Sequence, residues 1–391
     1  MHVRSPDCTD EELEAAFRPN TKAVFGETIA NPALAVLDIE RFAAAAHAHG
    51  VPLIVDNTFP TPVNCRPIEW GADIVTHSTT KYMDGHGASV GGAIVDGGKF
   101  DWMAHADKFP GLCEPDESYH GVTYTERFGL GGAFITKATA QLMRDFGAIQ
   151  SPQNAYLVNL GLESLHLRMA QHSKNGLALA QHLAAHPKIA WVRYPGLPGD
   201  DQYELAQKYL PNGASGVVSF GVAGGRAAAE TFMANLKLAQ IATHVADART
   251  CVLHPANATH RQMNDAELAA AGITPDLIRL SCGIEATEDL IADVDQALAG
   301  GVGGCGTIGF LARVRRPVRD SITEVPYGTQ EAVRSHRHWR GGGAVARGGV
   351  RRRQHGGGAE PPAPRHGRGL RAARDVPASQ RRIHHLPGVR R

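Results

Sequence analysis

Three polar residues stand where their side chains would do chemistry. Asp56 ends the apolar run PLIVD, and Lys81 follows a second apolar run, ADIV, within the segment HSTTKYMDGHG. Asn31 follows a third short run, and the three residues are spaced in equal steps of 25. Ligands of open α/β sheets bind beyond the carboxyl ends of the strands. The spacing therefore predicts that these side chains meet at one edge of a sheet.

The residue types favour covalent chemistry with an aldehyde. The pKa of a lysine amine falls readily on burial, which leaves a neutral and nucleophilic nitrogen at Lys81. Ser78 and Thr80 offer hydroxyls for a phosphate, and Asp56 offers a carboxylate for a protonated pyridine nitrogen. Arg279 lies inside the apolar run LIRLSCG, where a guanidinium suits a substrate carboxylate. Together these residues predict a pyridoxal-phosphate site.

Each of these residues also has an ordinary structural interpretation. A lone lysine after serine and threonine is most often a surface lysine, and Asp56 before Asn-Thr suits a turn or a helix cap. Arg279 alone suits an ion pair, and Ser78 and Thr80 suit the capping of a turn. The combination supports the chemical interpretation better than any one residue does.

The surrounding pattern predicts the elements that position these residues. Apolar runs predict strands at 22–28, 52–56, 72–75 and 90–95, and Asp38–His49 predicts a helix with one apolar face. Strands that alternate with helices favour a parallel α/β sheet. Later in the chain, two long helical stretches are followed by short strands mixed with helices, which is typical of a smaller α+β domain.

These patterns predict a large domain over 1–170, a small domain over 171–300 and a separate segment over 301–391. The last segment holds 19 Arg, no Lys and 5 Asp or Glu, so it carries +14 while residues 1–300 carry −13. Its runs of Arg, Gly and Pro predict disorder. Such a charge binds polyanions without sequence preference. An unselected tail from a shifted reading frame is the simpler interpretation.

Several classes of protein are disfavoured by the same sequence. The six cysteines are scattered without paired spacing, which suggests free thiols in a reducing cytosol. The polar, acidic N-terminus does not resemble a signal peptide, and no apolar run approaches the roughly 18 residues of a membrane helix. The histidines lack metal-ligand spacing. We therefore expect a cytoplasmic protein without a metal.

Six motifs carry a specific resemblance to a known family. They are ETIANP (27–32), VDNTF (55–59), HSTTKYMDGHG (77–87), SPQNAYL (151–157), YPGLP (194–198) and RLSCGIE (279–285). Over about residues 1–299 the chain resembles the Cys/Met-metabolism family of pyridoxal-phosphate enzymes. The resemblance implies the aspartate-aminotransferase-like α/β fold, fold type I. Within the family, the segment at 109–129 and the motif VADART resemble the O-acetylhomoserine sulfhydrylases.

The resemblance implies that the cofactor is contacted by Lys81, Asp56, Asn31, Ser78, Thr80 and Thr58. Lys81 would bond covalently to the cofactor and would then move the substrate's α-proton. Asp56 would pair with the pyridine nitrogen, and Asn31 would bind the 3′ oxygen. Ser78 and Thr80 would hold the phosphate, and Thr58 would lie near the ring.

The resemblance also implies contacts with the substrate and a reaction. Arg279 would bind the substrate carboxylate, and His244 would lie in the substrate pocket. The implied reaction is γ-replacement on O-acetylhomoserine by sulfide or methanethiol, which gives homocysteine or methionine and acetate. Cystathionine γ-synthase and methionine γ-lyase remain alternatives within the family. A catalytically inactive fragment whose basic tail binds polyanions remains an alternative of another class.

The resemblance raises two expectations about the whole assembly. Family members form homo-oligomers, as dimers of dimers with shared active sites. The first residue here matches a position inside the family's large domain, so we expect that domain to be incomplete at its N-terminus. The glycine-rich turn that helps to bind the phosphate would then be absent.

Overall fold

The structure of the chain is a computed structural model, and it describes residues 5–259, 261–270 and 272–300. The predicted disordered segment, 301–391, lies outside the described residues. The five cysteines within the described residues are all free thiols, in line with the sequence. Within these residues, no helix combines the length and the apolar character needed to cross a bilayer.

The strands form two separate sheets. In chain order they are β1 Val24–Glu27, β2 Leu53–Asp56, β3 Ile74–Ser78, β4 Gly92–Asp96, β5 Ile189–Arg193, β6 Val217–Val222, β7 Gln240–Ile241, β8 Cys251–Leu253 and β9 Leu277–Ser281. The first sheet has the order β1-β2-β3-β4, and the second has the order β5-β6-β9-β8-β7. Each strand predicted above from an apolar run is present within three residues of its expected bounds.

The helices precede, connect and cover these strands. They are α1 Asp10–Glu14, α2 Ile39–Ala48, α3 Thr61–Asn64, α4 Pro110–Cys113, α5 Tyr124–Phe128, α6 Leu130–Thr136, α7 Arg144–Phe146, α8 Pro152–Ala184, α9 Tyr203–Tyr209, α10 Gly225–Asn235, α11 Asp265–Ala270 and α12 Thr287–Ala299. A π-helical segment, Lys137–Met143, joins α6 to α7.

The predicted parallel sheet is present in β1, β2 and β3, and the prediction is wrong only for β4. Strand β2 lies parallel to β1 and to β3, whereas β4 lies antiparallel to β3. Helix α2 provides the crossover between β1 and β2. Between β3 and β4 the chain forms turns and loops instead of a crossover helix, and a parallel return needs such a crossover.

Helix α2 shows why the first crossover forms where it does. Its buried residues are Ile39, Phe42, Ala43 and Ala46, which recur at helical spacing and cover one face of the sheet. Asp38 caps its N-terminus by accepting a hydrogen bond from the Arg41 N–H. Just beyond its C-terminus, Gly50 takes a φ of +60°, a conformation that favours glycine.

Helix α8 is the longest element and connects the region of the first sheet to the second. Ser151 caps it, and Pro152 occupies its first turn, where a missing N–H costs nothing. It contacts β5 and β6 of the second sheet and α3 after the first. The helix passes through residue 170, where the sequence predicted a domain boundary, and the division at 170 stays a prediction.

The register of the first sheet brings polar side chains to one edge. Glu27 lies opposite Asp56, Asp56 lies opposite Thr76, and Ser78 lies opposite Gly92. Because side chains alternate along a strand, these paired positions share one face of the sheet. In the second sheet, β9 lies between β6 and β8, so Arg279 occupies a central strand.

Candidate active site

A cavity of about 280 Å³ lies beyond the carboxyl ends of β1, β2 and β3. It is lined by Glu27, Ile29, Asn31, Asp56, Thr58, Phe59, Lys81, Thr243, Val245, Thr259 and Arg279. Five of the eight predicted site residues are in this set, namely Asn31, Asp56, Thr58, Lys81 and Arg279. Both sheets contribute to its walls, because Arg279 belongs to β9 of the second sheet.

Lys81 is held by a tight turn that follows β3. Its N–H donates to the Ser78 carbonyl at 3.2 Å, and its own carbonyl accepts from the Gly85 N–H at 2.8 Å. The side chain is half-buried. Burial lowers the pKa of Lys81, and the positive charge of Arg279 lowers it further. The neutral amine, which is the nucleophilic form, is therefore favoured relative to a surface lysine.

Asp56 sits at the end of β2 with its carboxylate partly engaged. Asp56 Oδ1 accepts from the Thr58 N–H at 2.9 Å, and Oδ2 lies 3.5 Å from the Thr76 hydroxyl. The first contact is the turn role that an aspartate before Asn-Thr commonly has. The carboxylate makes no ion pair with a described residue, and Asp56 lines the cavity. It is thus placed to receive a cation.

Arg279 and Asn31 also line the cavity, and a hydrogen bond joins them. Arg279 is only 5% exposed, and its NH1 group donates to Asn31 Oδ1 at 3.2 Å. Its NH2 group donates to the carbonyls of Thr243 and His244 at 3.1 and 3.2 Å. Its Nε is buried and has no hydrogen-bond partner among the described residues. Burial lowers the pKa of Arg279 to about 10, so the group remains cationic at neutral pH.

The structure does not place Ser78 and Thr80 on the cavity wall. The Thr80 hydroxyl accepts from the Gly91 N–H at 3.1 Å and donates to the Gly91 carbonyl at 3.3 Å. The Ser78 N–H donates to the Thr58 hydroxyl at 2.8 Å, whereas the Ser78 hydroxyl makes no hydrogen bond to a described residue. Only Ser78 of the pair therefore keeps its hydroxyl available in this arrangement.

His244 lies beside the cavity, although its ring does not line it. Its Nε2 is buried and lies 3.6 Å from Asp247 Oδ2. Burial lowers the pKa of His244, and the charge of Lys81 lowers it further. Asp247 is itself held by Arg249, which donates to both of its carboxylate oxygens at 3.0 and 3.1 Å. His244 contacts a predicted site residue through its carbonyl, which accepts a hydrogen bond from Arg279.

Sequence reasoning missed Glu27 as a residue of this cavity. Its carboxylate accepts from the Asn31 N–H at 3.0 Å, and it stands beside Asp56 across the parallel pair. Burial raises the pKa of Glu27, the Asn31 N–H opposes that rise, and Asp56 adds to it. A signal was present, because Glu27 ends β1 as Asp56 ends β2. Thr243 and Thr259 lie in loops without such a signal.

These residues fit pyridoxal phosphate in the chemistry of their donors. An amine of lowered pKa, a carboxylate and an arginine with an unpartnered buried Nε share one cavity. The cofactor needs an amine for its aldehyde and a carboxylate for its ring nitrogen, and the amino acid that it carries needs a cation for its own carboxylate. The volume is close to the lower limit of ordinary ligand pockets, about 300 Å³.

Comparison with known proteins agrees with this chemistry. The family model described as Cys/Met metabolism PLP-dependent enzyme matches residues 1–299. The chain belongs to this family. The predicted family is therefore confirmed. The predicted cofactor, pyridoxal phosphate, is confirmed as the cofactor of that family. The residues that would hold the cofactor here stay predictions.

Individual members of the family show the same relation. The chain is 49% identical over 289 residues to a homocysteine synthase of Schizosaccharomyces pombe, which covers 73% of this chain and 67% of that protein. It is 44% identical over 296 residues to an O-acetyl-L-homoserine sulfhydrylase of Leptospira meyeri, and the match covers 74% of this chain and 66% of that protein. The chain thus spans about two thirds of the length of these relatives.

A solved member of the family confirms the fold. The crystal structure of a protein described as an O-acetylhomoserine (thiol)-lyase from Campylobacter jejuni matches with a TM-score of 0.70 and 36% identity, covering 74% of this chain and 69% of that one. That structure contains a pyridoxyl-lysine phosphate. The predicted fold, fold type I, is therefore confirmed for the matched part of the chain.

Proposed function

We propose that the chain catalyses γ-replacement on O-acetylhomoserine with sulfide or methanethiol, which gives homocysteine or methionine and acetate. The observation that supports this most strongly is the single cavity shared by Lys81, Asp56 and Arg279. The names of the relatives favour this reaction over cystathionine synthesis and over γ-elimination of methionine. They also favour an enzyme over an inactive polyanion-binding fragment.

When bound, pyridoxal phosphate supplies an aldehyde that condenses with amines and a ring that withdraws electrons from the α-carbon of an amino acid. The chain's own residues would orient and ionise the reactants. Asp56 would hold a positive charge at the ring nitrogen. Asn31 would be held in place by two contacts, one from its N–H to Glu27 and one from Arg279 to its side-chain oxygen.

Arg279 would bind the substrate carboxylate through the donors that the protein leaves unused. Its Nε–H has no partner among the described residues, and Arg279 lines the cavity. Lys81 would accept the α-proton at Nζ, because its lowered pKa favours the neutral amine that acts as a base. A positioned base of this kind typically contributes about 10² to 10⁴-fold to a rate.

The test is a comparison of acceptors with the full-length chain. Purified protein with added pyridoxal phosphate is given O-acetylhomoserine and one of sulfide, methanethiol or cysteine, and the sulfur product is measured. Homocysteine from sulfide is the expected main product. Cystathionine from cysteine as the main product would favour the synthase alternative. No product with any acceptor, while the cofactor binds, would contradict the proposed reaction.

We also propose that the chain acts in the cytoplasm as a homo-oligomer. The resemblance to the family supports this, and so do large apolar side chains that are exposed in one chain. Phe146 and Ile149 are 82% and 72% exposed and lie three residues apart, and a contiguous apolar patch that they helped to form would mark an interface. Light scattering of the purified chain would measure the assembly, and a monomer at all concentrations would contradict it.

A further inference from the structure

A buried arginine on α8 contacts the turn that carries Lys81. Arg168 is 6% exposed, and its NH1 group donates to the carbonyl of Tyr82 at 2.7 Å. Its NH2 group donates to the carbonyl of Gly161 at 2.6 Å, and its Nε donates to the Ser164 hydroxyl at 3.1 Å. The guanidinium therefore joins α8 to the backbone next to Lys81.

Burial of this charge is costly, and no hydrogen bond to a carboxylate offsets it. Burial lowers the pKa of Arg168, although the more distant charges of Asp84 and Asp247 oppose that change. The guanidinium donates hydrogen bonds to two carbonyls and one hydroxyl. An apolar side chain would fill the space at lower cost in desolvation, although it would leave those carbonyls unpaired.

A second contact seats the same turn on the same helix. A side chain at Gly161 would collide with the Met83 carbonyl and would lie 2.6 Å from the Asp84 carbonyl. On the turn itself, Gly85 has a φ of +75°, and a Cβ there would lie 2.5 Å from Arg168 NH1. The turn therefore approaches α8 more closely than any other residue type at either glycine would allow.

We propose that Arg168 and Gly161 are positioning residues that fix the turn from Lys81 to Gly85 and so direct the Lys81 amine into the cavity. This inference rests on the proposed cofactor chemistry of Lys81. The lysine side chain is flexible, so its own bonds do not fix the position of the amine. The region that the amine can reach is set by where the turn holds the Cα atom. Neither Arg168 nor Gly161 lines the cavity.

The step that depends on this direction is the condensation of the amine with the cofactor aldehyde. The neutral Lys81 nitrogen attacks the aldehyde carbon, a carbon–nitrogen double bond forms, and the aldehyde oxygen leaves as water with the two amine protons. Misplacement of the turn slows this condensation and weakens the binding of the aldehyde cofactor. It does not affect a ligand that fills the same cavity without an aldehyde.

Two probes separate these cases in the full-length chain. Pyridoxal 5′-phosphate has the aldehyde, whereas pyridoxamine 5′-phosphate has an amine in its place and binds without Lys81 chemistry. The dissociation constants of both probes are measured for the unmodified chain, Arg168→Met, Arg168→Lys and Gly161→Ala. Gly131→Ala is the matched control, because a Cβ at that helical glycine meets its nearest atom at an ordinary 3.9 Å.

We expect Arg168→Met and Gly161→Ala to weaken the binding of pyridoxal phosphate about tenfold or more, and to change that of pyridoxamine phosphate less than twofold. Arg168→Lys keeps a donor for the Tyr82 carbonyl and should restore part of the loss. Gly131→Ala should change neither constant. Borohydride reduction followed by mapping of the modified peptide then measures the fraction of Lys81 that has reacted.

Equal weakening of both probes in Arg168→Met and Gly161→Ala would overturn the proposal, because it would show general damage to the fold. Unchanged binding of pyridoxal phosphate in both variants would overturn it as well. If the unmodified chain bound neither probe, the proposed function would fail first and this inference with it.

Discussion

Replacement of Arg279 by lysine tests whether the arginine binds the substrate carboxylate. Arginine has five N–H donors. Three hydrogen bonds run to Asn31 Oδ1 and to the carbonyls of Thr243 and His244, which leaves the Nε–H and one further N–H for a ligand. A lysine ammonium has three donors on one nitrogen and cannot reproduce this fork. Arg279→Lys would therefore keep the charge and remove at least one of the hydrogen bonds proposed to the substrate.

The size of the effect follows from the strength of such a bond. A hydrogen bond to a charged group contributes about 1.5 to 3 kcal/mol. At 1.4 kcal/mol for each factor of ten, this predicts a loss of about 10- to 150-fold in kcat/KM for O-acetylhomoserine. The same variant should lose much less with the carboxamide of O-acetylhomoserine, because the amide lacks the charge that the arginine binds.

The assay measures initial rates at saturating sulfide and pyridoxal phosphate, with a thermal melt of each protein as the control for folding. A loss below threefold with O-acetylhomoserine would refute the reasoning. An equal loss with the acid and with its carboxamide would refute it too, because the effect would then come from the loops that Arg279 holds.

Three further outcomes follow from the site. Asp56→Asn should lower turnover about a hundredfold while the cofactor stays attached, because a preorganised charge at a reacting group is typically worth 10² to 10³-fold in rate. Steady-state rates measure the turnover, and absorbance measures the attached cofactor. Burial lowers the pKa of Lys81, so cofactor attachment should increase with pH and reach half its maximum below about pH 10.4, the ordinary lysine value. Stopped-flow absorbance measures this midpoint, and a midpoint at or above about pH 10.4 would contradict the prediction. Thr80→Val should lower the free energy of unfolding by about 1 kcal/mol, because the Gly91 N–H loses its partner while the Gly91 carbonyl keeps the Thr79 N–H. Ser78→Ala should leave urea unfolding unchanged, and an equal effect of the two substitutions would contradict the contacts described.

Much of the fold was predictable because local pattern determines it. The apolar runs before Asp56 and Lys81 indicate buried strands, and the amphipathic stretch Asp38–His49 indicates the crossover helix. The direction of β4 was not predictable from its own residues. It depends on the connection at 79–91, which lacks a crossover helix, and the sequence pattern of a strand is the same in either direction.

The candidate site shows the same limit. Asn31, Asp56, Lys81 and Arg279 share one cavity, as their positions near strand ends and within an apolar strand predicted. Their roles in binding stay predictions. The contacts of Arg168 with the Lys81 turn depend on residues that lie 86 positions apart in the chain, and no local pattern indicates them.

The hydrogen bonds of the Thr80 hydroxyl could not be predicted from the sequence either. This hydroxyl was expected to hold a phosphate, but it forms hydrogen bonds with the backbone of Gly91, the residue before β4. A threonine before a catalytic lysine looks the same in sequence whether its hydroxyl faces a ligand or the backbone.

We propose that Lys81 is the residue that reacts with pyridoxal phosphate. The direct measurement is reduction of the full-length chain with borohydride after addition of pyridoxal phosphate, followed by mass spectrometry of its peptides. We expect a single phosphopyridoxyl group on the peptide that contains Lys81, and none on that peptide in Lys81→Ala. Labelling spread over several surface lysines, or labelling that persists at the same level in Lys81→Ala, would contradict it.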